Sequence, residues 1–218
     1  MGNGKEITNV SKATIGRLPA YLRYLKDKES AGEKTISSTA IAEDLRLNAV
    51  QVRKDIAVIS SVAGKPKLGF EIRDLIEDIN KFLGYDNVTD AVLVGAGGLG
   101  RALAGYGGFK NYGLNIVAAF DKNPELVGKS LNGVQVFDTK ELPKLVRRLN
   151  VLIGIIAVPG SAAQEVADEL VAGGVRAIWN FAPAHLILPP DIAVKNEDMA
   201  ASLAILSKRL AEILYEEK

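Results

Sequence analysis

Hydrophobic and polar positions follow a helical period in the first part of the chain. Apolar side chains recur every three or four residues in residues 14–27, which predicts an amphipathic helix. Its predicted core positions are Leu18, Tyr21, Leu22 and Leu25. Two short helices are predicted at residues 38–46 and 49–60, with Ser38 as the expected N-cap of the first. Their short junction is typical of a helix-turn-helix.

Three further features complete this first region. The segment AGKPKLGF is rich in basic, glycine and proline residues, which predicts a hairpin or wing. Residues 72–83 again follow a helical period, and GYDN at residues 84–87 is the best linker. We therefore predict a winged-helix type of N-terminal domain over residues 1–85.

After the linker the period of the pattern changes. Short apolar runs typical of buried parallel strands alternate with helical segments. The strands are predicted at residues 91–95, 116–120, 134–137, 151–157, 177–181 and 192–195, and the main helices at 99–106, 139–149 and 161–172. This alternation predicts an α/β domain with a doubly wound parallel sheet over residues 86–198. Residues 199–218 form a long terminal helix, whose leucine stripe must be buried on its own sheet or on a partner.

Composition limits the class of protein. The chain has no cysteine, which excludes a disulfide scaffold and a thiolate zinc site and suits a reducing cytoplasm. The N-terminus lacks the apolar segment of a secretory signal, and the apolar run at residues 151–158 is too short to span a bilayer. We therefore expect a cytoplasmic protein with no metal and no membrane partner.

The charge is distributed unevenly. Residues 1–85 carry 14 basic and 11 acidic side chains, whereas residues 86–218 carry 13 and 15. Between Arg46 and Lys67 there are five basic residues and a single acid, Asp55. A local basic patch attracts phosphates over roughly a Debye length of ~8–10 Å. This patch favours a nucleic acid as the partner of the first domain.

The segment VLVGAGGLGRAL places a G-x-G-x-x-G loop between a predicted strand and a predicted helix. Gly95 permits the tight turn, Gly97 lets a pyrophosphate approach the backbone, and Gly100 allows close packing of helix on strand. Asp121 ends the next strand, where an acid binds the ribose hydroxyls and repels a 2′-phosphate. The pattern predicts an NAD(H) site, with a plain glycine-rich turn as the alternative. The predicted contacts are Gly95, Ala96, Gly97, Gly98, Leu99, Gly100 and Asp121.

The second short helix carries residues suited to DNA. Gln51 can read adenine, Arg53 can bind guanine or a phosphate, and Lys54 can bind a phosphate. The wing would add Lys65 and Lys67. The alternative is a small helical cap with a solvated charged face. The remaining predicted DNA contacts are Ser38, Asn48 and Gly69.

Together these motifs resemble the Rex family of bacterial redox-sensing transcriptional repressors. The matching segments are QVRKDI, GKPKLGF, VGAGGLGRAL, IVAAFD, AAQEVAD and NFAP, in family order within residues 14–210. The resemblance implies a winged-helix domain on a Rossmann domain, and a homodimer with a domain-swapped C-terminal helix. It also implies a repressor that binds operator DNA and releases it when the effector NADH rises relative to NAD⁺.

The resemblance carries roles for single residues as well. Arg17, Tyr106 and Asp198 match family positions that link the domains in a nucleotide-dependent way. Considered without the family, they are a surface charge, an aromatic residue at a helix end and an N-cap. The remaining expected NAD(H) contacts are Tyr106, Val158, Pro159, Phe181 and Ala182.

The chain departs from the family pattern at three informative positions. Arg46 occupies the turn where glycine is usual, so a residue with a Cβ must adopt what we expect to be a positive φ. Gly98 stands where asparagine is common, and His185 stands where arginine is common after NFAP. We therefore predict a divergent or paralogous member of the family, with the operator sequence and the NADH response as the properties most open to change.

An NAD-dependent dehydrogenase is the rival function, with His185 as its candidate base. Tyr106 and Lys110 form a Y-x-x-x-K pair, but Gly107 and Gly108 would disrupt the helix that such a pair requires. The sequence has no recognisable Ser/His/Asp set and no second substrate domain. An NAD-binding scaffold without DNA binding is disfavoured by the basic patch. We therefore expect no catalytic residues.

Overall fold

The computed structural model describes residues 10–60, 64, 69–87 and 89–216, which divide into two compact units after residue 87. The predicted wing residues Lys65 and Lys67 lie outside the described residues. No helix within the described ranges is long and apolar enough to cross a membrane.

The first unit is a small helical domain with a two-stranded antiparallel sheet. Its elements are α1 (Lys12–Ser30), β1 (Thr35–Ile36), α2 (Ser38–Asp44), α3 (Ala49–Ile59), β2 (Phe70–Glu71) and α4 (Ile72–Leu83). The apolar faces of the four helices form one core. The predicted core positions of α1 are confirmed, since Leu18, Tyr21, Leu22 and Leu25 are at most 1 % exposed. The two short strands were not predicted from the sequence.

The caps and turn of the helix pair are set by local polar groups. Ser37, not Ser38, caps α2, because the Ser37 hydroxyl accepts a hydrogen bond from the Ala40 N–H at 3.0 Å. The predicted capping role of Ser38 is therefore wrong, and its side chain is buried. Arg46 has φ +55°, so the expected left-handed turn is confirmed with a non-glycine residue in it.

Gly69 occupies a position that only glycine fits. Its φ is +78°, and a Cβ there would meet the carbonyl oxygen of Ile36. The close approach lets the chain return beside β1 and pair as β2. A structural requirement thus accounts for this glycine, which we had predicted as a DNA contact.

The second unit is a seven-stranded sheet flanked by helices. Its strands are β3 (Thr89–Val94), β4 (Leu114–Asp121), β5 (Ser130–Leu131), β6 (Val134–Asp138), β7 (Ile153–Ile156), β8 (Ala177–Asn180) and β9 (Ala193–Asn196). Its helices are α5 (Gly98–Ala104), α6 (Leu142–Leu149), α7 (Gly160–Gly173) and α8 (Met199–Glu216). Two 3₁₀ helices span Gly107–Tyr112 and Thr139–Glu141.

The strand order is β5-β6-β4-β3-β7-β8-β9, and every pairing except β5 with β6 is parallel. Without β5 this is the Rossmann order, so the predicted doubly wound parallel sheet is confirmed. The chain first adds β4 and β6 on one side of β3 and then crosses to add β7, β8 and β9 on its other side. A crevice therefore forms at the carboxyl ends of β3 and β7, where dinucleotide-binding sheets place their ligand.

The predicted strand positions are confirmed to within a few residues, because the strands that contribute to the core are marked by their own apolar runs. The last predicted strand, β9, is exposed along its length. Val92 and Val94 face one core, together with α6 and α7, and Leu93 faces the other. The sequence did not reveal β5 or the 3₁₀ helix at Gly107–Tyr112, which follow no clear period.

Candidate functional site

The glycine loop lies between β3 and α5 and leaves no room for two of its side chains. Gly95 has φ +103°, and a Cβ there would meet the carbonyl oxygen of Ala157 in the loop after β7. A Cβ on Gly100 would meet the carbonyl oxygen of Gly95. The roles predicted for these two glycines, a tight turn and close helix packing, therefore have a direct geometric cause.

The middle of the loop is open. Gly97 and Gly98 are exposed, and a Cβ on either would have no atom within 4 Å. Leu99 is 39 % exposed beside them. This opening lies at the positive end of α5, so the loop fits a pyrophosphate that approaches the backbone.

Asp121 connects the end of β4 to the glycine loop. Its carboxylate accepts hydrogen bonds from the backbone N–H of Ala96 at 2.7 Å and of Asn123 at 2.8 Å. Ala96 itself is buried, so its side chain belongs to the core. A carboxylate has about four lone-pair positions. Asp121 therefore anchors the loop and keeps capacity to accept hydrogen bonds from ribose hydroxyls.

The loops after β7 and β8 lie at the same edge of the sheet. Val158 is half-buried beside Gly95, and Pro159 is exposed. Phe181 is half-buried, whereas Ala182 is buried at 4 % exposure. The side chain of Ala182 thus packs in the core.

Asn180 is a structural residue of this site that the sequence analysis missed. It is fully buried, its amide donates to the Ala184 carbonyl at 3.0 Å and to Asn196 Oδ1 at 2.9 Å, and its Oδ1 accepts from the Ala182 N–H at 3.0 Å. Asn180 therefore shapes the NFAP loop. The signal in the sequence that could have indicated this role is a polar asparagine at the end of an apolar strand.

Four aromatic rings form a row from the NFAP loop to Tyr106. Ring centroids are 4.9 Å apart for Phe181 and Trp179, 5.6 Å for Trp179 and Phe109, and 4.9 Å for Phe109 and Tyr106. Trp179 Nε1 donates to Glu197 at 2.9 Å. Tyr106 is 54 % exposed. The fold thus brings two predicted NAD(H) contacts, Phe181 and Tyr106, onto one aromatic surface.

His185 is exposed in the loop that follows β8. Next to it, Gln164 of α7 exchanges two hydrogen bonds with the backbone of Ile187, at 2.9 and 2.8 Å. Gln164 of the AAQEVAD segment thus fixes this loop. Within the described ranges no group of three or more His, Cys, Asp or Glu residues could hold a metal ion.

The second short helix, α3, presents the residues predicted to contact DNA. Asn48 caps it by accepting from the backbone N–H groups of Val50 and Gln51 at 2.9 and 3.2 Å. Gln51, Arg53 and Lys54 are exposed, as predicted. Val50 is also 56 % exposed, and a methyl group at this end of the helix can contact thymine. Val50 was not among the residues predicted from the sequence to contact DNA.

The acid of α3, Asp55, binds α1. It is 1 % exposed and forms a two-point ion pair with Arg17, whose Nε and Nη2 lie 2.7 and 2.8 Å from its oxygens. Thr14 Oγ1, Tyr21 Oη and Gln51 Nε2 donate to the same carboxylate at 3.1, 2.8 and 2.9 Å. Burial alone raises the pKa of Asp55, but these hydrogen bonds outweigh burial and lower its pKa to about 2.

The predicted switch residues have separate surroundings within their own units. Arg17 is not a free surface charge, since it is held by Asp55. Asp198 Oδ1 accepts from the Ala201 N–H at 2.9 Å and so caps α8. The apolar stripe of α8 is open, with Leu203, Leu206, Leu210 and Leu214 all at least 52 % exposed. Its own sheet therefore does not cover this stripe.

Two family models match the chain. A model described as "CoA binding domain" matches residues 86–184, and a model described as "Putative DNA-binding protein N-terminus" matches residues 9–57. The first match covers the glycine loop and the second covers α3 through Ala57.

Relatives match over nearly the whole chain. The redox-sensing transcriptional repressor Rex of Bacteroides fragilis is 40 % identical over 206 residues, which cover 94 % of this chain and 93 % of the relative. The solved structure of RSP with beta-NAD+ and operator DNA is 36 % identical, with a TM-score of 0.89, and covers 96 % of this chain and 97 % of RSP. The structure of RSP with beta-NADH is also 36 % identical, with a TM-score of 0.85, and covers 96 % and 99 %.

Proposed function

The chain belongs to the Rex family of redox-sensing transcriptional repressors, and we propose that it binds operator DNA and releases it on binding NADH. The observation that carries this proposal is the joint presence of an open glycine loop tied to Asp121 and an exposed, capped α3. The protein is a regulator and not an enzyme. The nucleotide is read rather than consumed.

We assign three functional regions to the chain. Residues 1–85 bind DNA, residues 86–198 bind NAD(H), and residues 199–218 mediate dimerisation. RSP has been solved with operator DNA in the presence of NAD⁺ and separately with NADH. These two complexes support NADH and NAD⁺ as competing effectors here.

The NAD(H) site uses the backbone for phosphate and side chains for selectivity. Gly97 and Gly98 leave space for the pyrophosphate, and Asp121 accepts hydrogen bonds from the ribose hydroxyls. Phe181, Val158 and Pro159 line the carboxyl edge where a nicotinamide ring would lie. Gly98, where the family commonly has asparagine, has free space around it, so this departure is compatible with binding.

The DNA surface combines α3 with the wing. Gln51 and Val50 contact bases, and Arg53 and Lys54 contact phosphates. Lys65 and Lys67 are proposed as wing contacts. Replacing both lysines by alanine should flatten the salt dependence of DNA binding, because each phosphate contact contributes about −0.9 to the slope of log K against log salt. An unchanged slope would remove the wing from the interface.

The partner that covers α8 is proposed to be a second copy of the chain. An exposed leucine stripe of this length requires burial, and a dimer presents two α3 helices to two operator half-sites. We expect Leu206→Asp with Leu210→Asp to yield monomers with weakened DNA binding in analytical ultracentrifugation and anisotropy. A dimer that survives this change would contradict the proposal.

The proposed site of action is the cytoplasm.

Arg17 has a defined starting position in the proposed switch. Its Nε and Nη2 are bound to Asp55, so a nucleotide-dependent partner such as Asp198 must share the guanidinium with that ion pair or replace it. Asp198 must likewise leave or share its capping role. Tyr106, exposed at the end of the aromatic row, is proposed to respond to the nucleotide.

The decisive experiment measures both affinities reciprocally. An operator duplex is selected from a random library, and its affinity is measured by anisotropy with and without NADH. We expect NADH to weaken DNA binding by roughly 5- to 150-fold, the usual range of allosteric coupling. By linkage, saturating operator must weaken NADH binding by the same factor. Energy transfer from Trp179, the single tryptophan of the chain, reports NADH directly.

NAD⁺ and NADPH are the controls in this titration. NAD⁺ should leave operator binding intact, and NADPH should have little effect. If the operator leaves NADH affinity unchanged, the protein does not sense NADH through DNA, and the dehydrogenase or scaffold function would become the better proposal. Substrate-dependent reduction of NAD⁺ that is lost in His185→Ala would then identify the dehydrogenase.

A further inference from the structure

Asp55 is a buried carboxylate that accepts more hydrogen bonds than it has lone-pair positions. Its two oxygens accept five hydrogen bonds, four of which come from the α1 side chains Thr14, Arg17 and Tyr21. A carboxylate has about four lone-pair positions, so α1 alone can satisfy it. The fifth bond, from Gln51 one turn earlier in α3, adds to this set and connects the buried charge to a side chain at the exposed edge of α3.

The fifth bond fixes the orientation of the Gln51 side-chain amide. An ionised carboxylate only accepts hydrogen bonds, so the Nε2 side of the Gln51 amide must face Asp55 and Oε1 must face away. A flipped amide would place two oxygens against each other. One N–H and the carbonyl oxygen of Gln51 remain available. These are the groups that bind N7 and the N6 amino group of adenine.

We propose that Asp55 is a positioning residue that sets the base preference of Gln51 without contacting DNA, an inference that rests on the proposed DNA-binding function. Asp55 is the only acid of α3, and it lies on the face that packs on α1, whereas Gln51 lies at the exposed edge. Arg53 and Lys54 do not share this bond. Selectivity at one base pair therefore depends on Asp55, whereas phosphate binding does not.

The test compares Asp55→Asn with the wild type on variants of the selected operator. Gln51→Ala first identifies the base pair that Gln51 reads, because replacing that base pair should no longer change the affinity of this variant for the operator. At that base pair, we expect Asp55→Asn to reduce discrimination by about 5- to 150-fold, the value of a bidentate base contact. Affinity for random-sequence DNA and its salt slope should stay as in the wild type.

Tyr21→Phe is the matched control. It removes a donor to Oδ2 of Asp55 and leaves Oδ1, the oxygen that holds Gln51, with its partners. The first unit should lose stability while the base preference stays intact. If Tyr21→Phe loses discrimination as strongly as Asp55→Asn, general loosening of α3 explains both, and the inference is wrong.

A second measurement decides the case in which Asp55→Asn does not fold. In the free wild-type protein, the side-chain amide of Gln51 should have a high NMR order parameter, because Asp55 immobilises it. Gln135, an exposed glutamine of β6, provides the mobile reference. A Gln51 amide as mobile as that of Gln135 would overturn the inference.

The outcomes separate the inference from the function it rests on. A wild-type protein with no sequence preference for DNA refutes the proposed function itself. A selective wild type with an equally selective, folded Asp55→Asn variant refutes only the positioning role. Selectivity lost in Asp55→Asn and kept in Tyr21→Phe supports both.

Discussion

The recognition helix α3 in the first unit and the glycine loop in the second both present polar surfaces, but different contacts hold them. Side chains around the buried charge of Asp55 fix α3 on α1. Backbone fixes the glycine loop, because Gly95 and Gly100 approach carbonyl oxygens too closely for a Cβ. Among the described residues, the Asp121 carboxylate adds the side-chain anchor of that loop.

This difference determines how each surface responds to change. A side-chain anchor can lose one donor at a time and can titrate, so its strength is graded. A backbone contact has no flexible end that can move aside, so a single methyl group forces the helix to shift. We therefore expect graded effects around Asp55 and abrupt ones around Gly100.

Arg17→Ala should have the largest effect. It removes two charged hydrogen bonds from a buried carboxylate and should destabilise the first unit by about 3 kcal/mol, the lower end for breaking a buried ion pair, because Arg17 is partly exposed. Hydrogen exchange of α1 and α3 amides measures the loss, and β3 and β7 should be unchanged. Arg23→Ala, an exposed arginine of α1, is the control, and equal exchange in both variants would contradict the expectation.

Gly100→Ala should strongly weaken NADH binding with little effect on the first unit. The added methyl meets the carbonyl oxygen of Gly95, and overpacking of this kind costs about 1–3 kcal/mol or more, so affinity should fall roughly 100-fold. Calorimetry with NADH checks this. Gly107→Ala has free space around its Cβ and serves as the control. Wild-type affinity in Gly100→Ala would show that the loop is not held as described.

Asp55 in the first unit and Glu169 in the second should contribute to stability with opposite signs as the pH falls. The pKa of Asp55 is lowered to about 2, below its unfolded value of about 3.9, so its contribution is complete above pH ~4–5. As the pH falls from ~4–5 towards 2, the free energy of unfolding of the first unit should decrease by about 2 kcal/mol.

The second unit has a carboxylate shifted the other way. Burial and the nearby Glu165 raise the pKa of Glu169, so protonation of Glu169 favours the folded state. Hydrogen exchange of α3 and fluorescence of Trp179 follow the two units in one acid titration. Simultaneous acid unfolding of both units would refute the distinction.

Asp121→Asn tests the one side-chain anchor of the glycine loop and should have the smallest effect. The amide oxygen can still accept from Ala96, so the loop should stay folded, while the charge that repels a 2′-phosphate is lost. We expect the preference for NADH over NADPH to fall by about 10-fold, from one charged contact of ~1.4 kcal/mol. Asp90→Asn, at the amino end of β3, is the control. Equal affinity of the wild type for both nucleotides would remove Asp121 from this role.

Local patterns in the sequence determined the elements and the phosphate loop. The apolar period of residues 14–27 placed Leu18 and Tyr21 in the core, and the spacing of Gly95, Gly97 and Gly100 marked the loop. Both are properties of a short segment, since a helical face and a tight turn need only neighbouring residues. The motifs that resemble Rex lie within such segments, which is why the family was accessible from them.

The tertiary structure decided which distant groups meet. Asp55 looked like a lone acid in a basic helix, and only packing against α1 brought Arg17, 38 residues away, into contact with it. The bond from Ala96 to Asp121 spans 25 residues and exists because β3 and β4 are neighbours in the sheet. The same holds for the four-ring row that ends at Tyr106. Side-chain periodicity reports which face of an element is buried but not which element covers it, so these partners depend on the folded arrangement.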